Sequence, residues 1–254
     1  MNHPRLALGL AAALLLATVP GLRAADTLTT ADIFKQAQAA YAALTSYRDE
    51  GRTVATLGAS TITTTFTIKL ARTNLYCITW EQSNDSAYAT TRTKPQSVWS
   101  AGAGDFLDMG TGARKLAGRE IALSSATGIS GSAAATVPGT FFKMNWGNQL
   151  GLPAREKRLP DEKVGDTDCY VFTSALTSGQ TKTLWLGKRD FLIRQVRSVT
   201  SAAALKAAFA EAAKTHPEIA LHLPASQDIT ATETHDHIAT NPTLTPADFT
   251  PPAK

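Results

Sequence analysis

Cysteine is scarce in this sequence, which contains only Cys77 and Cys169 among its 254 residues. No C-x-x-C pair exists, which excludes a thioredoxin-type redox site. An oxidising compartment would allow a disulfide between the two cysteines, since their number is even. Both also have hydrophobic neighbours in strand-like stretches, which fits two buried free thiols equally well. The sequence leaves both alternatives open.

Long runs of one charge are also missing. Charged residues make up 18% of the chain, the formal net charge is +4, and no basic stretch is longer than a pair such as Lys188-Arg189. A nucleic-acid-binding surface is therefore not indicated. Hydrophobic residues make up 43% of the chain, which is typical of a globular protein with an apolar core.

The sequence motifs of common enzymes are incomplete. The segment from Gly128 to Ser132 resembles a nucleophile elbow, but Ser132 stands where a glycine must follow the serine. No Lys-Ser/Thr pair comes after these glycines, so the segment is not a phosphate-binding loop either. We interpret it as the flexible hinge of a lid, and we predict no catalytic residues and no enzymatic activity.

His235 and His237 have a spacing that metal ligands can use. In a regular strand the two imidazoles would lie on one face, where they could share a zinc ion. Glu233 would share that face, but no convincing third ligand is evident. We interpret the segment as an exposed polar edge, and we predict neither a metal site nor another cofactor.

The first 24 residues have the three-part pattern of a secretory signal peptide. Arg5 supplies the positive charge, and a run of mostly Leu and Ala extends from Leu6 to Val19. At about 14 residues this run is shorter than the roughly 20 that a transmembrane helix needs. We expect cleavage near Ala24, which would leave residues 25–254 as one exported, periplasmic domain.

Most of the remaining chain has the two-residue periodicity of β-strands. Apolar residues alternate with polar ones, mostly threonines, from Ile62 to Leu70, and Tyr76, Ile78 and Trp80 share one face of the next strand. The clearest hairpin joins the strands expected at 181–186 and 191–199. Further strands are expected within 86–93, 97–100, 105–109, 157–164, 169–174 and 229–238.

Helices are predicted at 30–46, 119–126, 133–146 and 202–214. The first begins at Thr30, which we expect to be its N-cap, and it places Ile33, Ala37 and Tyr41 on one face. The last is mostly alanine with a narrow apolar stripe, so we interpret 202–217 as a peripheral helical insertion. Residues 241–254 contain four prolines, and we expect them to lie extended over the surface or to be partly disordered.

These elements predict an α+β, β-dominated fold class. Strands do not alternate with helices, so a parallel sheet is not expected, and sequential strands with short turns favour an antiparallel meander. The apolar face of such a sheet must be covered. We therefore predict a curved antiparallel sheet with helices packed on its concave face.

Several short motifs occur in an order that is typical of one family. They lie at 44–49, after the first helix, and at 70–72, 76–80, 98–102, 164–170, 183–194 and 249–252. Together they resemble the LolA/LolB-like periplasmic lipoprotein-carrier superfamily, in particular its uncharacterised exported relatives. The resemblance extends over nearly all of residues 25–254, except for the insertion.

That resemblance implies an incompletely closed barrel, with helices as a lid on the concave face of the sheet. It also implies an apolar cavity between the sheet and the lid, in which known members bind acyl chains, lipoproteins or stress signals. The lid would be the segment Ile129–Trp146. We expect the ligand-binding residues to be Phe66, Ile68, Tyr76, Ile78, Trp80, Trp99, Phe141, Phe142, Trp146, Phe172 and Trp185.

The expected function is that of a periplasmic binding or carrier protein for a lipid, an acyl chain or a lipoprotein. One alternative is an envelope sensor or regulatory module that binds a membrane protein partner. A less favoured alternative is an exported hydrolase. The sequence does not identify the ligand.

Overall fold

A computed structural model of the chain describes residues 28–72, 74–85, 90–151, 155–177, 179–215 and 227–252. The predicted signal peptide lies outside these residues, as does part of the strand expected within 86–93. No helix within the described ranges is long and apolar enough to cross a membrane.

The described helices are α1 (Thr30–Ala43), α2 (Arg119–Thr127), α3 (Thr136–Phe141), α4 (Ala202–Ala212) and a short 3-10 helix (Pro246–Phe249). The first seven strands are β1 (Ser46–Leu57), β2 (Ser60–Ala71), β3 (Leu75–Asp85), β4 (Thr90–Arg92), β5 (Gln96–Ser100), β6 (Asp105–Asp108) and β7 (Ala113–Leu116). The others are β8 (Lys157–Val164), β9 (Thr167–Thr177), β10 (Gln180–Gly187), β11 (Ile193–Thr200), β12 (Ile229–His235) and β13 (Ala239–Thr240).

All of these strands belong to one antiparallel sheet. Its order is β7-β6-β5-β3-β2-β1-β12-β11-β10-β9-β8, with β13 beside β1 and β4 beside β3. Over the residues that the structure describes, β7 and β8 do not pair with each other, so the sheet does not close into a barrel. The predicted fold class, a β-dominated antiparallel sheet with an incomplete barrel, is confirmed.

The pattern of apolar residues did not predict where the central strand β1 begins and ends. It pairs with β2 over its whole length and with β12 from Gly51 to Leu57. Its buried positions include Asp49 and Thr53, so the alternation of apolar and polar residues is absent. The strand forms between two well-defined neighbours, which shows tertiary context overriding a weak local pattern.

We call the face of the sheet that the helices cover the inner face. Alternate residues of the strands point to it, and they pack with α1, α2 and α3 into one large apolar cluster. From α1, the cluster includes Ile33, Phe34, Ala37 and Tyr41. These include the three residues that helical periodicity predicts for the packed face.

The start of α1 differs by one residue from the prediction. Thr29, rather than Thr30, is the N-cap, and its side chain and that of Asp32 form a reciprocal capping box. Either threonine satisfies the sequence preference for an N-cap. Asp32 decides between them. A capping box needs an acidic or amide side chain at the third helical position, and Asp32 stands there only if Thr29 is the cap.

The helix expected at 133–146 is much shorter in the structure. Only Thr136–Phe141 is helical, and the chain then continues in turns to Leu150. The turns fold back onto the helix so closely that a Cβ on Gly139 would lie 2.6 Å from the carbonyl carbon of Gly147. Glycine at 139 is therefore required for this close approach rather than for movement.

The C-terminal residues lie on the outer face, opposite the helices. Lys69 Nζ forms a 2.8 Å ion pair with Asp248, Ser46 Oγ donates to the carbonyl of Pro242 at 2.7 Å, and Phe249 is 1% exposed. Residues 241–252 thus run over the outer face of the sheet, where they include the 3-10 helix and are anchored by a buried phenylalanine.

The two cysteines are free thiols in the structure. Cys77 lies on the outer face of β3 and Cys169 packs in a separate small cluster on β9 with Val171 and Trp185. Of the two alternatives, the disulfide is wrong and the buried thiols are correct. Burial raises the pKa of Cys77 to about 12 and that of Cys169 to about 11, so neither is a reactive thiolate.

Candidate functional site

Nine of the eleven predicted ligand-binding residues meet in one layer between the inner face and the helices. Seven of them are buried: Phe66, Ile68, Tyr76, Ile78, Trp80, Phe141 and Phe172. Phe142 and Trp146 are half-buried and pack against this layer from the lid segment, Ile129–Trp146. The sheet and the lid segment thus share one continuous apolar contact.

Trp99 and Trp185 lie on the outer face instead. Trp99 stacks on Phe106 with ring centroids 5.4 Å apart, and Trp185 donates from Nε1 to Glu162 at 2.9 Å. Both tryptophans have apolar neighbours in the sequence, as in Leu184-Trp185-Leu186. Apolar and polar residues therefore do not alternate there, and the sequence does not show which face of its strand each tryptophan occupies. These two residues cannot line a site beneath the lid segment.

Aromatic contacts connect the layer to the helices. Phe34 of α1 meets Phe172 edge to face at a centroid distance of 5.0 Å, and Tyr76 meets Phe142 edge to face at 6.3 Å. Trp80 donates from Nε1 to Gln96 at 2.8 Å. The polar atom of Trp80 is therefore satisfied, and its ring is available as an apolar surface.

The lid segment is attached to the sheet by two side-chain hydrogen bonds at its centre. Thr53 Oγ1 on β1 donates to the carbonyl of Gly131 at 2.6 Å. Thr136 Oγ1 on α3 donates to Glu233 Oε2 on β12, also at 2.6 Å. Gly131 has a φ of +60° and lies directly on the sheet, where a Cβ would come within 3.0 Å of Thr53 Cβ.

Arg72 joins the end of the lid segment to α1. Its guanidinium donates to the carbonyls of Leu44 at 2.7 Å, Phe141 at 2.5 Å and Tyr41. The same group lies 4.1 Å from the centroid of the Phe141 ring. A cation bound to the final carbonyls of two helices is a favourable arrangement for both helix dipoles.

Beneath the lid segment lies a fully buried cluster of charged groups. His235 Nδ1 is 2.7 Å from Asp49 Oδ2, and His235 Nε2 is 3.3 Å from Glu233 Oε1. Tyr47 donates its hydroxyl to the same Asp49 oxygen at 2.5 Å. Neither His235 nor Asp49 has exposed side-chain surface. The interpretation of this segment as an exposed edge is therefore wrong for His235.

The buried histidine is positively charged in the neutral pH range. Burial by itself would lower its pKa, but the charge and hydrogen bond of Asp49, together with Glu233, outweigh burial and raise the pKa of His235 to about 10. Burial and the negative charge of Asp49 raise the pKa of Tyr47 well above its ordinary value. The cluster thus holds one imidazolium between two carboxyl groups.

His237 lies apart from His235 because β12 ends at His235. It is exposed, and it lines a groove of about 620 Å³ on the outer face together with Asp236, Glu81, Pro251 and Pro252. Within the described parts of the chain, no three His, Cys, Asp or Glu residues are arranged to hold a metal ion. The two histidines that suggested a zinc site are therefore separated by the fold.

Sequence reasoning missed Asp49, Thr53, Thr64 and Thr136 as parts of this region. These polar residues interrupt the apolar face at the centre of the sheet. Such an interruption in a buried strand was the signal that could have indicated a polar site. It could not be used, because β1 itself was not delimited and because threonine is common on exposed strand faces as well.

Comparisons with known proteins give matches among solved structures only. No protein-family profile matches the chain, and no curated protein matches it in sequence. Among solved structures, a LolA superfamily protein from Nitrosomonas europaea matches with 10% identity over 88% of this chain and 98% of that one, at a TM-score of 0.33.

Two further structures are similar over most of the chain. LprF from Mycobacterium bovis has 7% identity over 89% of this chain and 97% of that one, with a TM-score of 0.43. The MucA/MucB complex of Pseudomonas aeruginosa includes a chain with 8% identity over 88% of this chain and 61% of that one, with a TM-score of 0.42.

Proposed function

We propose that this protein binds and carries an apolar ligand, such as a lipid or an acyl chain, between the inner face of the sheet and the lid segment. The observation that supports this function is the apolar layer itself. Its aromatic and aliphatic side chains come from both the sheet and the lid segment, so separation of the two surfaces would expose a continuous apolar site.

The binding residues in this proposal are the nine that the fold brings into the layer. They are Phe66, Ile68, Tyr76, Ile78, Trp80, Phe141, Phe142, Trp146 and Phe172. These side chains are buried or half-buried and pack in one cluster, so the proposed ligand replaces contacts that the lid segment makes with the sheet.

The lid segment is suited to such a movement. Its only described helix, α3, has six residues, and the segment is held to the sheet by side-chain contacts, such as the hydrogen bonds of Thr53 and Thr136, rather than by strand pairing. Each buried methylene of a ligand contributes about 0.8 kcal/mol, so an acyl chain of ordinary length can compensate for the contacts that the lid segment gives up.

A reversible lock of the lid segment tests this function. A Cβ at Gly131 would be 3.0 Å from Thr53 Cβ, so a small shift would give the roughly 3.8 Å that a disulfide needs. In a Thr53→Cys/Gly131→Cys variant, the reduced protein should bind the neutral probe N-phenyl-1-naphthylamine. The oxidised protein should bind it at least tenfold more weakly.

The same variant in its two redox states is its own control, because the strain of a side chain at Gly131 is present in both. Wild-type protein treated with the oxidant should bind the probe unchanged, since its thiols are buried. Equal binding by the oxidised and reduced variant would show that the ligand does not lie beneath the lid segment.

We also propose that the protein is exported with its signal peptide removed. The short N-terminal apolar run after Arg5 supports this proposal. N-terminal sequencing of the exported protein should start at Ala25 or Asp26. A membrane-bound product that retains Met1 would contradict it.

A non-catalytic role follows from the same proposal. Mass spectrometry of material that co-purifies from the native envelope distinguishes it from the alternative function. Lipid or lipoprotein would support the carrier, whereas a stoichiometric polypeptide would support the sensor or regulatory module, for which the outer groove beside Pro251 and Pro252 is the available surface.

A further inference from the structure

A row of polar side chains crosses the inner face of the sheet, next to the buried pair of Asp49 and His235. Gln82, Thr64, Thr53 and Glu233 lie side by side on β3, β2, β1 and β12, in direct register. We call these four residues the polar row. Thr64, Thr53 and Glu233 are each less than 5% exposed, so the row is part of the buried layer.

The polar row has apolar neighbours on one side along the strands and at one of its ends. Phe66 and Trp80 are the next inner-face residues on β2 and β3. Across the strands, the row continues beyond Glu233 with Val196 of β11, Leu184 of β10 and Phe172 of β9. An acyl chain lying on this face would therefore contact a polar strip beside apolar residues.

The lid segment supplies the hydrogen-bond partners at the centre of the row. Gly131 accepts a hydrogen bond from Thr53, and Thr136 donates one to Glu233. Thr64 accepts instead from Gln82 Nε2 at 3.1 Å, within the row. Displacement of the lid segment therefore leaves one buried donor and one buried carboxylate oxygen without their partners.

An alkyl chain cannot replace those partners, and an unsatisfied buried polar group weakens any complex that contains it. A ligand that displaces the lid segment needs an acceptor for Thr53 and a donor for Glu233. A hydroxyl group can serve both as the acceptor and as the donor. An anionic head group would instead add negative charge beside a buried cluster in which one imidazolium, His235, already lies between the carboxyl groups of Asp49 and Glu233.

We propose that the ligand is an amphiphile with an uncharged, hydroxyl-bearing head group, which lies on the polar row while its chain covers Phe66 and Trp80. This inference rests on the proposed binding site beneath the lid segment. It adds to that function the chemical class of the ligand. The site should select against anionic head groups and against head groups that lack a hydrogen-bond donor.

Competition with N-phenyl-1-naphthylamine tests the preference. The competitors are three molecules with the same twelve-carbon acyl chain: monododecanoylglycerol, dodecanoate and methyl dodecanoate. Monododecanoylglycerol should displace the probe at a concentration at least tenfold lower than either of the others. Tenfold is the effect expected for loss of one well-placed hydrogen bond.

Variants connect the preference to the polar row. Thr53→Val removes one hydroxyl with little change of shape and should reduce the preference for monododecanoylglycerol severalfold. Glu233→Gln should relax the selection against dodecanoate. Thr65→Val is the matched control, because Thr65 is the next residue to Thr64 on β2 but points to the outer face, where it is exposed. It should leave the preference unchanged.

The outcomes separate this inference from the function on which it rests. Equal displacement by the three competitors, or a preference that Thr53→Val leaves intact, would overturn the hydroxyl-bearing head group while the apolar site remains. If the protein does not bind the probe at all and no competitor binds by calorimetry, the proposed function fails, and this inference fails with it.

Discussion

His235 Nδ1 lies 2.7 Å from Asp49 Oδ2, and neither side chain has any exposed surface. The pair joins β12 to β1, two strands that are far apart in the sequence and adjacent in the sheet. Breaking a buried ion pair by removal of one partner is strongly destabilising, because the other charge remains buried without compensation. The pair therefore makes the stability of the sheet depend on pH.

Stability should fall as the pH rises above neutral. The pKa of His235 is raised from 6.5 to about 10 by the fold, so its contribution is complete below about pH 6.5 and is lost as the pH approaches 10. Between pH 7 and 8.5, the free energy of unfolding in urea should decrease by about 1.4 kcal/mol per pH unit.

Two variants test whether His235 causes this dependence of the free energy of unfolding on pH. Asp49→Asn removes the charge that raises the pKa of His235, so its slope should be flatter. His237→Ala changes an exposed histidine outside the cluster and should keep the slope of the wild type. A wild-type stability that does not change between pH 7 and 8.5 would contradict the charged state of His235.

Gly51→Ala should destabilise the protein by about 2 kcal/mol or more, as overpacking does. A Cβ at Gly51 would lie 2.2 Å from the carbonyl oxygen of Thr234 and 2.7 Å from Phe66 Cζ. Because glycine has no side chain, the Phe66 ring can pack over Gly51 and contact the His235 ring, with ring centroids 5.6 Å apart. Urea denaturation measures the loss.

Gly128→Ala is the matched comparison for this glycine. Gly128 directly follows α2 and has helical backbone angles, with a φ of −66°, and a Cβ there meets nothing within 4 Å. The substitution should be neutral or stabilise the protein by up to about 1 kcal/mol. A large loss of stability at Gly128, or none at Gly51, would contradict the backbone positions described here.

Cys77 should be unreactive until the C-terminal segment is removed. The thiol is 4% exposed, and the 3-10 helix around Asp248 and Phe249 packs on the same face of β2 and β3. Ellman's reagent should not react with native protein, but it should react with one thiol after deletion of residues 246–254. The same deletion with Cys77→Ser should show no reaction, whereas equal rates with and without the deletion would show that the segment does not protect Cys77.

Deletion of α4 should have a small effect on stability. No residue of this helix is buried, and substitutions on exposed surfaces usually change stability by less than about 0.5 kcal/mol each. Replacement of residues 202–212 by a short Gly/Ser linker should cost about 1 kcal/mol. Phe34→Ala in α1, which packs on Phe172, is the contrasting change and should cost about 3–5 kcal/mol. Loss of soluble protein on deletion of α4 would show that the helix supports the core.

Much of the fold could be predicted from local periodicity. The alternation from Ile62 to Leu70 identified β2 and its inner face, and the hairpin β10–β11 was identified from its two apolar strands and the turn between them. Periodicity failed where every residue is apolar, as around Trp185, and where the buried residues are polar, as in β1. In both cases the face of the strand depends on its neighbours.

The sequence by itself determined the elements whose buried and exposed residues differ in polarity: α1, β2, β3 and the β10–β11 hairpin. Periodic burial of apolar side chains is a local property of the chain, so it can be identified without knowledge of the partners. Only the tertiary structure decided that Asp49, His235 and Glu233 meet, that Trp99 and Trp185 face away from the lid segment, and that Cys77 and Cys169 stay apart. Those relationships depend on which strands become neighbours, and the pairing of β1 with β12 brings together residues separated by most of the chain.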